Sequence, residues 1–422
     1  MNPRNLDDWL AYAERSHSQE IDMGLTRVRE VADRMALLEP GATRFVIVAG
    51  TNGKGSTTVA IAALLQEMGF KTGATLSPHV HRFNERVQIG GAQLDDEHLC
   101  AAFAAVDAAR GEIALTYFEF ATLVALESFR REAVDVAVLE VGLGGRLDAF
   151  NIVAAEIAVV TSIGLDHQAF LGDDLEQIGR EKAGVFRAGQ TVVLGAVTQS
   201  VRDAAASLHC RILAAGEQFE STEQQDSWSY RSDSMQFEQL PRGGLAPANW
   251  SMALTVVEQF APPSRAQLEA ALHTARLPGR LERWQCAGRS LVLDVAHNPA
   301  GARFLQQQLE RVFPERHFLG ILGMLSDKKP VEVVAELRCV SAWLLVPTSG
   351  ARGQSAEALR ARLEDRITVE IAVDFESALQ QALSSAAEGS GILIAGSFSI
   401  VEQARNWLIN SSASGFAVQA WP

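Results

Sequence analysis

The residues Gly50-Thr51-Asn52-Gly53-Lys54-Gly55-Ser56-Thr57 follow an apolar run and open a helix-forming stretch. In that setting backbone N–H groups and a helix N-terminus cradle phosphate oxygens, and Lys54 reaches the β- and γ-phosphoryl groups. The spacing departs from the common Walker pattern, which would place Gly where Val48 stands and Ser or Thr where Gly55 stands. A Gly-rich turn alone explains the glycines but not Lys54-Gly55-Ser56-Thr57, so the segment reads as a nucleotide phosphate loop. Ser56 or Thr57 is then a magnesium ligand.

A phosphate loop calls for a divalent cation, and two further strand ends offer ligands. Val136-Ala137-Val138-Leu139-Glu140 brings a carboxylate to the end of a buried run, where it is expected to pair with a cation. Gly142-Leu143-Gly144-Gly145-Arg146 follows, and its glycines let backbone approach a ligand closely. Thr161-Ser162-Ile163-Gly164-Leu165-Asp166-His167 ends another strand in an Asp-His pair; a loop histidine bonded to its own neighbour is the plainer reading of His167. Ser77-Pro78-His79, with Arg82, Asn84, Glu85 and Arg86, is too polar and Pro-broken for a helix and is expected to form a loop at the same edge. Lys182, near a helix end, reads by itself as a surface lysine. Arg280, Asp294 and Asn249 are further candidates, the first two for closing over a nucleotide and the last for reading an adenine edge.

The elements that must position these groups alternate. Short β-branched runs at 45–49, 72–76, 134–141, 157–162 and 191–194 are separated by helix patterns at 55–69, 95–109, 117–131 and 174–184. Near-continuous apolar strands predict a parallel sheet buried on both faces. A helix is predicted at 248–260, and a small hairpin within the polar stretch 216–240, where Trp228 and Tyr230 alternate with polar residues. A second series has strands at 291–295, 317–322, 342–346, 368–373 and 391–395. Phe375, Ala378, Leu379, Ala382 and Leu383 make a helical stripe within it. The predicted class is α/β, with a P-loop parallel-sheet domain over 1–278 and a smaller Rossmann-like α/β domain over 279–422. A hinge is expected near 262–279, and the uncharged tail from Asn410 is expected to be loose.

The 422 residues carry 37 Lys+Arg against 51 Asp+Glu, a formal charge of −14, which disfavours nucleic acid and anionic membrane as partners. Cys100, Cys210, Cys286 and Cys339 form no CxxC pair and read as reduced thiols. The first residues lack the apolar core of a signal peptide, and no run of about 18 apolar residues occurs. A cytoplasmic enzyme is the expectation.

Taken in order, the phosphate loop, Ser77-Pro78-His79, Tyr117-Phe118-Glu119-Phe120, the stretch Leu139 to Asp148, Gly164-Leu165-Asp166-His167, Glu181-Lys182-Ala183-Gly184, Pro278-Gly279-Arg280 and Asp294-Val295-Ala296-His297-Asn298-Pro299 resemble the folylpolyglutamate synthase and dihydrofolate synthase family, of the wider Mur-ligase type of ATP-dependent amide ligases. The resemblance covers about residues 20 to 400. It implies a Mur-ligase central-type domain, with Gly53, Lys54, Gly55 and Ser56 holding ATP and Ser77, Glu140 and His167 holding Mg²⁺. Lys182 matches a lysine that the family carbamylates to help hold a second metal ion, which replaces the surface reading. Asn249, Arg280 and Asp294 match nucleotide-binding positions. The pterin site falls on Met23, Gly24, Leu25 and Thr26, with Phe118 and the segment from Arg146 to Asp148. Lys54, His167 and Lys182 are the catalytic expectations, and the substrates implied are dihydropteroate, tetrahydrofolate derivatives and L-glutamate.

Three other readings compete. An enzyme confined to polyglutamylation shares every motif; the Met23-to-Thr26 loop favours the bifunctional form. A ligase of muramyl precursors would carry a nucleotide-sugar domain before the phosphate loop, and only 49 residues precede Gly50. A P-loop ATPase acting as a switch would release ADP without making an amide. A monomer is expected.

Overall fold

The computed structural model describes residues 4–19, 21–39, 41, 43–314, 317–350, 352–363, 367–386, 389–413 and 418–420. The chain divides into two compact units, Met1–Arg276 and Leu277–Pro422.

The first unit is built on eight strands: β1 (Arg44–Ala49), β2 (Thr72–Thr75), β3 (Val87–Ile89), β4 (Ala92–Gln93), β5 (Val136–Glu140), β6 (Ile157–Ser162), β7 (Thr191–Ala196) and β8 (Arg211–Ala214). Their order is β4-β3-β2-β5-β1-β6-β7-β8. β2, β5, β1, β6, β7 and β8 run parallel, and β3 and β4 add an antiparallel hairpin at one edge. Val46, Val48, Val136, Val138, Val159 and Val192 are fully buried, as the unbroken apolar runs require when helices cover both faces. The helix Lys54–Glu67 is buried nearly all round because the helix Pro247–Val257 covers the side turned away from the sheet.

Two N-terminal helices, Leu6–Arg15 and Thr26–Arg34, have no counterpart in the sequence reading. Leu6, Trp9 and Ala13 on the first, and Val28, Val31 and Ala32 on the second, join the core of this unit. Trp9 stacks on Phe103 at 5.9 Å and Phe103 on Phe120 at 5.5 Å, which ties the first of these helices to Asp96–Arg110 and Tyr117–Arg131.

Three expectations are corrected. The hairpin within 216–240 is a three-stranded antiparallel sheet of β9 (Phe219–Glu223), β10 (Ser227–Ser232) and β11 (Gln236–Pro241). A two-stranded ribbon has too little apolar face to hold by itself; the third strand and the seating of Trp228 and Tyr230 in the core supply it. The loop after β2 contains one 3₁₀ turn, Phe83–Arg86, because the Glu85 carboxylate gathers the N–H groups of Val80, His81 and Arg82. The tail from Asn410 is ordered where it is described: the helix Phe398–Ala413 continues through it, and Val418–Ala420 pairs antiparallel with Trp284–Cys286. That edge strand satisfies backbone groups that hydropathy alone does not reveal.

The second unit holds β12 (Glu282–Cys286), β13 (Arg289–Asp294), β14 (Phe318–Leu322), β15 (Val340–Leu345), β16 (Val369–Ile371), β17 (Gly391–Ala395) and β18 (Val418–Ala420), in the order β16-β15-β14-β17-β13-β12-β18. The first five in that order are parallel, with β12 antiparallel to β13. The helical stripe expected from Phe375 is the helix Phe375–Ser385, with Phe375, Ala378, Leu379 and Ala382 buried. Among the described residues no helix is long and apolar enough to cross a membrane.

Candidate active site

β1 lies between β5 and β6, so the chain leaves β1 toward β2 on one side and crosses from β5 to β6 on the other. Loops diverge at such a reversal and open a crevice beyond the carboxyl ends of the strands. The segments after β1, β2, β5 and β6 carry the phosphate loop, Ser77, the 142–148 loop and His167, respectively.

The phosphate loop is tied to the end of β6. Thr51 N–H donates to Ser162 O at 2.7 Å, Asn52 N–H to Ser162 Oγ at 3.2 Å, and Thr161 Oγ1 to Asn52 O at 2.7 Å. A Cβ on Gly50 would lie 1.9 Å from Thr161 Oγ1, and Gly53 caps the helix Lys54–Glu67 at φ 87°. Both glycines are therefore required by the close approach and by the left-handed turn. The helix N-terminus faces the loop, and Lys54 Nζ folds back to Thr51 O at 3.3 Å. Asn249 sits against this loop: a Cβ on Gly53 would meet Asn249 Oδ1 at 2.7 Å, and Thr57 Oγ1 donates to the same oxygen at 3.4 Å.

Glu140, at the end of β5, accepts from Ser77 N–H at 2.8 Å. Ser77 Oγ is buried and makes no hydrogen bond among the described residues. A buried hydroxyl without a partner, beside a carboxylate only 5% exposed, suits an oxygen-ligated cation. Among the described residues no group of three or more His, Cys, Asp or Glu side chains gathers as a metal site. Mg²⁺, which keeps several waters, needs no such group. His167 adopts φ 51°, its N–H donates to Asp166 Oδ1 at 2.9 Å, and its Nε2 lies 4.0 Å from Asp166 Oδ2. The bond expected between His167 and its neighbour Asp166 is thus made by the His167 backbone N–H.

Lys182 is no surface lysine: it is 5% exposed, and its Nζ donates to Gly50 O at 2.8 Å. Burial, helped by the charge of Lys54, pushes its pKa down to about 7, against the pull of Asp166 and Asp148. Its helix, Leu175–Ala183, lies close under the 142–148 loop. A Cβ on Gly145 would meet Lys182 O at 2.6 Å, and one on Gly184 would meet Arg146 Cβ at 2.3 Å. Arg146 N–H donates to Glu181 O at 2.9 Å, and its exposed guanidinium pairs with the Glu181 carboxylate at 3.0 Å. Asp148 is buried, accepting from Gly142 and Leu143 N–H at Oδ2 and from Phe150 N–H at Oδ1. Burial raises its pKa to about 6, although these bonds and Lys54 oppose the shift. Its side chain shapes the loop from inside.

The residues expected to hold a pterin come together at the other side of that loop. Phe118 packs on Gly142, where a Cβ would stand 2.5 Å from its ring, and meets Phe150 edge-on at 5.9 Å. Met23 Cε lies 3.9 Å from the Cβ position of Gly144. Gly24 and Leu25 lead into the helix that begins at Thr26. Arg27, which sequence reading missed, fastens this loop: it donates to Asp22 Oδ2 at 2.7 Å and to Asp22 O at 2.9 Å, and reaches buried Glu119 at 3.3 Å. Glu119 is also the N3 member of the Thr116 capping box, a signature visible in Thr116-Tyr117-Phe118-Glu119.

In the second unit Asp294 ends β13 and is buried. It accepts from Leu281 N–H at 2.8 Å and Ala296 N–H at 2.9 Å, and burial raises its pKa against the charge of Arg280. Arg280 lies 5.8 Å over the Phe398 ring. Asn298 caps the helix Pro299–Val312.

Two family models match the chain: the Mur ligase middle domain over residues 48–253 and the Mur ligase glutamate ligase domain over 279–398. Fold and site thus define a Mur ligase. Dihydrofolate synthase/folylpolyglutamate synthase of Escherichia coli is 38% identical over 403 residues, 94% of either chain, and that of Haemophilus influenzae is 36% identical over 94% of this chain and 96% of its own. An E. coli FolC in complex with DHPP and ADP superposes with a TM-score of 0.91 at 35% identity, covering 98% of this chain and 99% of that one. The bifunctional folylpolyglutamate synthase/dihydrofolate synthase of Yersinia pestis, complexed with AMPPNP and Mn ion, gives 0.89 at 40% identity over 97% and 99%. The chain belongs to the dihydrofolate synthase/folylpolyglutamate synthase family.

Proposed function

We propose that the protein ligates L-glutamate to dihydropteroate, and to the γ-carboxylate of folates, using ATP and passing through an acyl phosphate. The observation that carries this reading is the meeting, at one sheet edge, of a phosphate loop, a Ser77–Glu140 pair with an orphaned hydroxyl, and a buried lysine bonded to the loop itself. Residues 1–278 would serve ATP and the pterin, and 279–422 the ligase domain, with Arg280 and Asp294 serving the nucleotide.

A carboxylate is a poor acylating agent, so it is first phosphorylated. The γ-phosphoryl group spreads negative charge over its oxygens in transfer, and Lys54, the N–H groups of Gly53, Gly55 and Ser56, and the helix dipole neutralise it. Ser77, Glu140 and His167 would hold Mg²⁺, which supplies further charge neutralisation at the phosphates when bound. Lys182, with a pKa near 7, has a neutral amine available at physiological pH. Its nitrogen attacks CO₂ and loses a proton to give a carbamate, a carboxylate-like group for a second cation. The neutral amine of glutamate then attacks the acyl carbon and phosphate departs. Met23, Gly24, Leu25, Thr26 and Phe118 would line the pterin pocket, with the Arg146-to-Asp148 segment as its floor. We place the protein in the cytoplasm as a monomer; its free cysteines and acidic charge support that compartment.

The test is ADP release with Mg²⁺ and L-glutamate in the presence of dihydropteroate, tetrahydrofolate or neither, with product masses read in parallel. Turnover with both acceptors, each gaining one glutamyl mass, is expected. Turnover with the folate alone restricts the activity to polyglutamylation. ADP release indifferent to acceptor and glutamate, or near-normal turnover by Lys54→Ala or His167→Ala, overturns the ligase and favours a nucleotide switch.

A further inference from the structure

Arg86 has no part in the site as derived above, yet it stands beside it. Its carbonyl accepts from Leu76 N–H at 3.1 Å, which places it across from the residue preceding Ser77. Its Nε donates to His79 Nδ1 at 2.7 Å, and its guanidinium carbon lies 5.6 Å from the Tyr117 ring and 6.0 Å from that of Phe83. The ordinary partner of a half-buried arginine is missing. The Glu85 carboxylate next to it accepts from three backbone N–H groups, and Glu85 and Glu140 act on Arg86 through their fields. Among the described residues no acceptor takes Nη1 or Nη2. Neither nitrogen is among the fully enclosed atoms without a partner, and the residue as a whole is partly exposed. A guanidinium whose plane is fixed through Nε, and whose outer edge is free, is shaped for bidentate capture of a carboxylate.

We propose that Arg86 grips the reacting carboxylate of the acceptor, holding it between the Ser77–Glu140 pair and the aromatic side chains of Tyr117 and its neighbour Phe118. The placement supports the acceptor over the incoming amino acid, because Phe118 packs on the 142–148 loop where the pterin residues meet. The inference rests on the ligase reading for the identity of the acceptor. Arg86 fixes one face of the carboxylate and leaves an oxygen lone pair directed at the γ-phosphorus. When that oxygen–phosphorus bond forms, the β,γ-bridging bond breaks and ADP leaves with its electron pair.

Calorimetric titration with Mg²⁺ and a non-hydrolysable ATP analogue tests this, comparing dihydropteroate with its carboxamide on the native protein, Arg86→Gln and Arg86→Lys. The native protein should prefer the carboxylate by about 10–100-fold, the worth of a charge-assisted bond pair. Arg86→Gln should lose that preference and bind the carboxamide as before, while Arg86→Lys keeps the charge without the fork and recovers part of it. An Arg86→Gln protein that retains the preference overturns the proposal, as does one whose KM for glutamate rises while its acceptor affinity stays. If Arg86→Gln fails to fold by thermal unfolding, the Lys variant decides: an undiminished preference there removes the bidentate role. A native protein that makes no amide refutes the ligase reading; the titrations still read the carboxylate preference separately.

Discussion

Lys182 Nζ donates to the carbonyl oxygen of Gly50 over 2.8 Å, joining the helix Leu175–Ala183 to the first residue of the phosphate loop across 132 residues of sequence. One bond thus couples the ionisation of a buried amine to the shape of the glycine-rich loop after β1. In the lysine's ordinary charge state, burial at this depth is unfavourable, and the lowered pKa is the consequence.

The first prediction concerns that coupling. The pKa of Lys182 falls from 10.5 in the unfolded chain to about 7 in the fold. Between those values the unfolded state holds a proton that the folded state lacks, so this group makes stability rise with pH from about 7 to 10.5 and adds a constant penalty below. Denaturant unfolding across that range, in CO₂-free buffer, should show the slope in the native protein and its loss in Lys182→Met. Catalysis should fall by at least about 100-fold in Lys182→Ala, with partial recovery on adding formate or acetate as a substitute carboxylate.

Ser77→Ala separates structure from metal binding. Removing a buried hydroxyl that has no partner should leave thermal stability without divalent cation unchanged or slightly raised, by up to about 1 kcal/mol. The Mg²⁺ concentration for half-maximal ADP release should nonetheless rise about 10-fold or more. An unchanged Mg²⁺ requirement would remove Ser77 from the ligand set.

The Asp148 carboxyl titrates upward, from 3.8 to about 6. The folded state therefore binds the proton more tightly, and this group's contribution to stability is full below about 3.8 and lost as pH rises through about 6. Asp148→Asn abolishes that dependence but offers a single acceptor oxygen for three N–H donors. The KM for the acceptor should rise while ATP binding changes little, as read by steady-state kinetics and nucleotide titration.

Arg27→Ala should free the loop from Asp22 to Thr26 from helix Tyr117–Arg131. A loss of about 1–3 kcal/mol is expected, since Glu119 is left buried with one partner fewer. The KM for dihydropteroate should rise severalfold with kcat nearly kept. Adding Glu119→Gln should restore part of the stability, as a double-mutant cycle would show.

Gly53→Ala tests the phosphate loop. The residue sits at φ 87°, and the new methyl would press Asn249 Oδ1 at 2.7 Å. A loss of about 1–3 kcal/mol and weakened ATP-analogue binding are expected, and shortening Asn249 to Ala should recover stability by relieving the clash while leaving the dihedral strain.

Much of this was legible in the residues. Strands such as Ile157–Ser162 and Gly391–Ala395 fall where apolar runs put them, and the helix Tyr117–Arg131 coincides with the helix pattern at 117–131. The placement of the site was legible for the same reason: Gly50 to Thr57, Glu140 and His167 stand at strand ends, where local spacing fixes the backbone. The three-stranded sheet around Trp228 and the edge strand Val418–Ala420 were not, because strand pairing depends on partners distant in sequence.

The sequence by itself determined the phosphate loop, the alternation of strands and helices, and the family that its spaced motifs resemble, since each rests on residues within a few positions of one another. Only the tertiary structure decided that Lys182 lies buried against Gly50, that Asp148 turns inward to hold the 142–148 loop, that Arg27 joins Asp22 to Glu119, and that Arg86 lies against His79. Burial and the distance between charges arise when remote segments pack, and these set the ionisation and reach of each group.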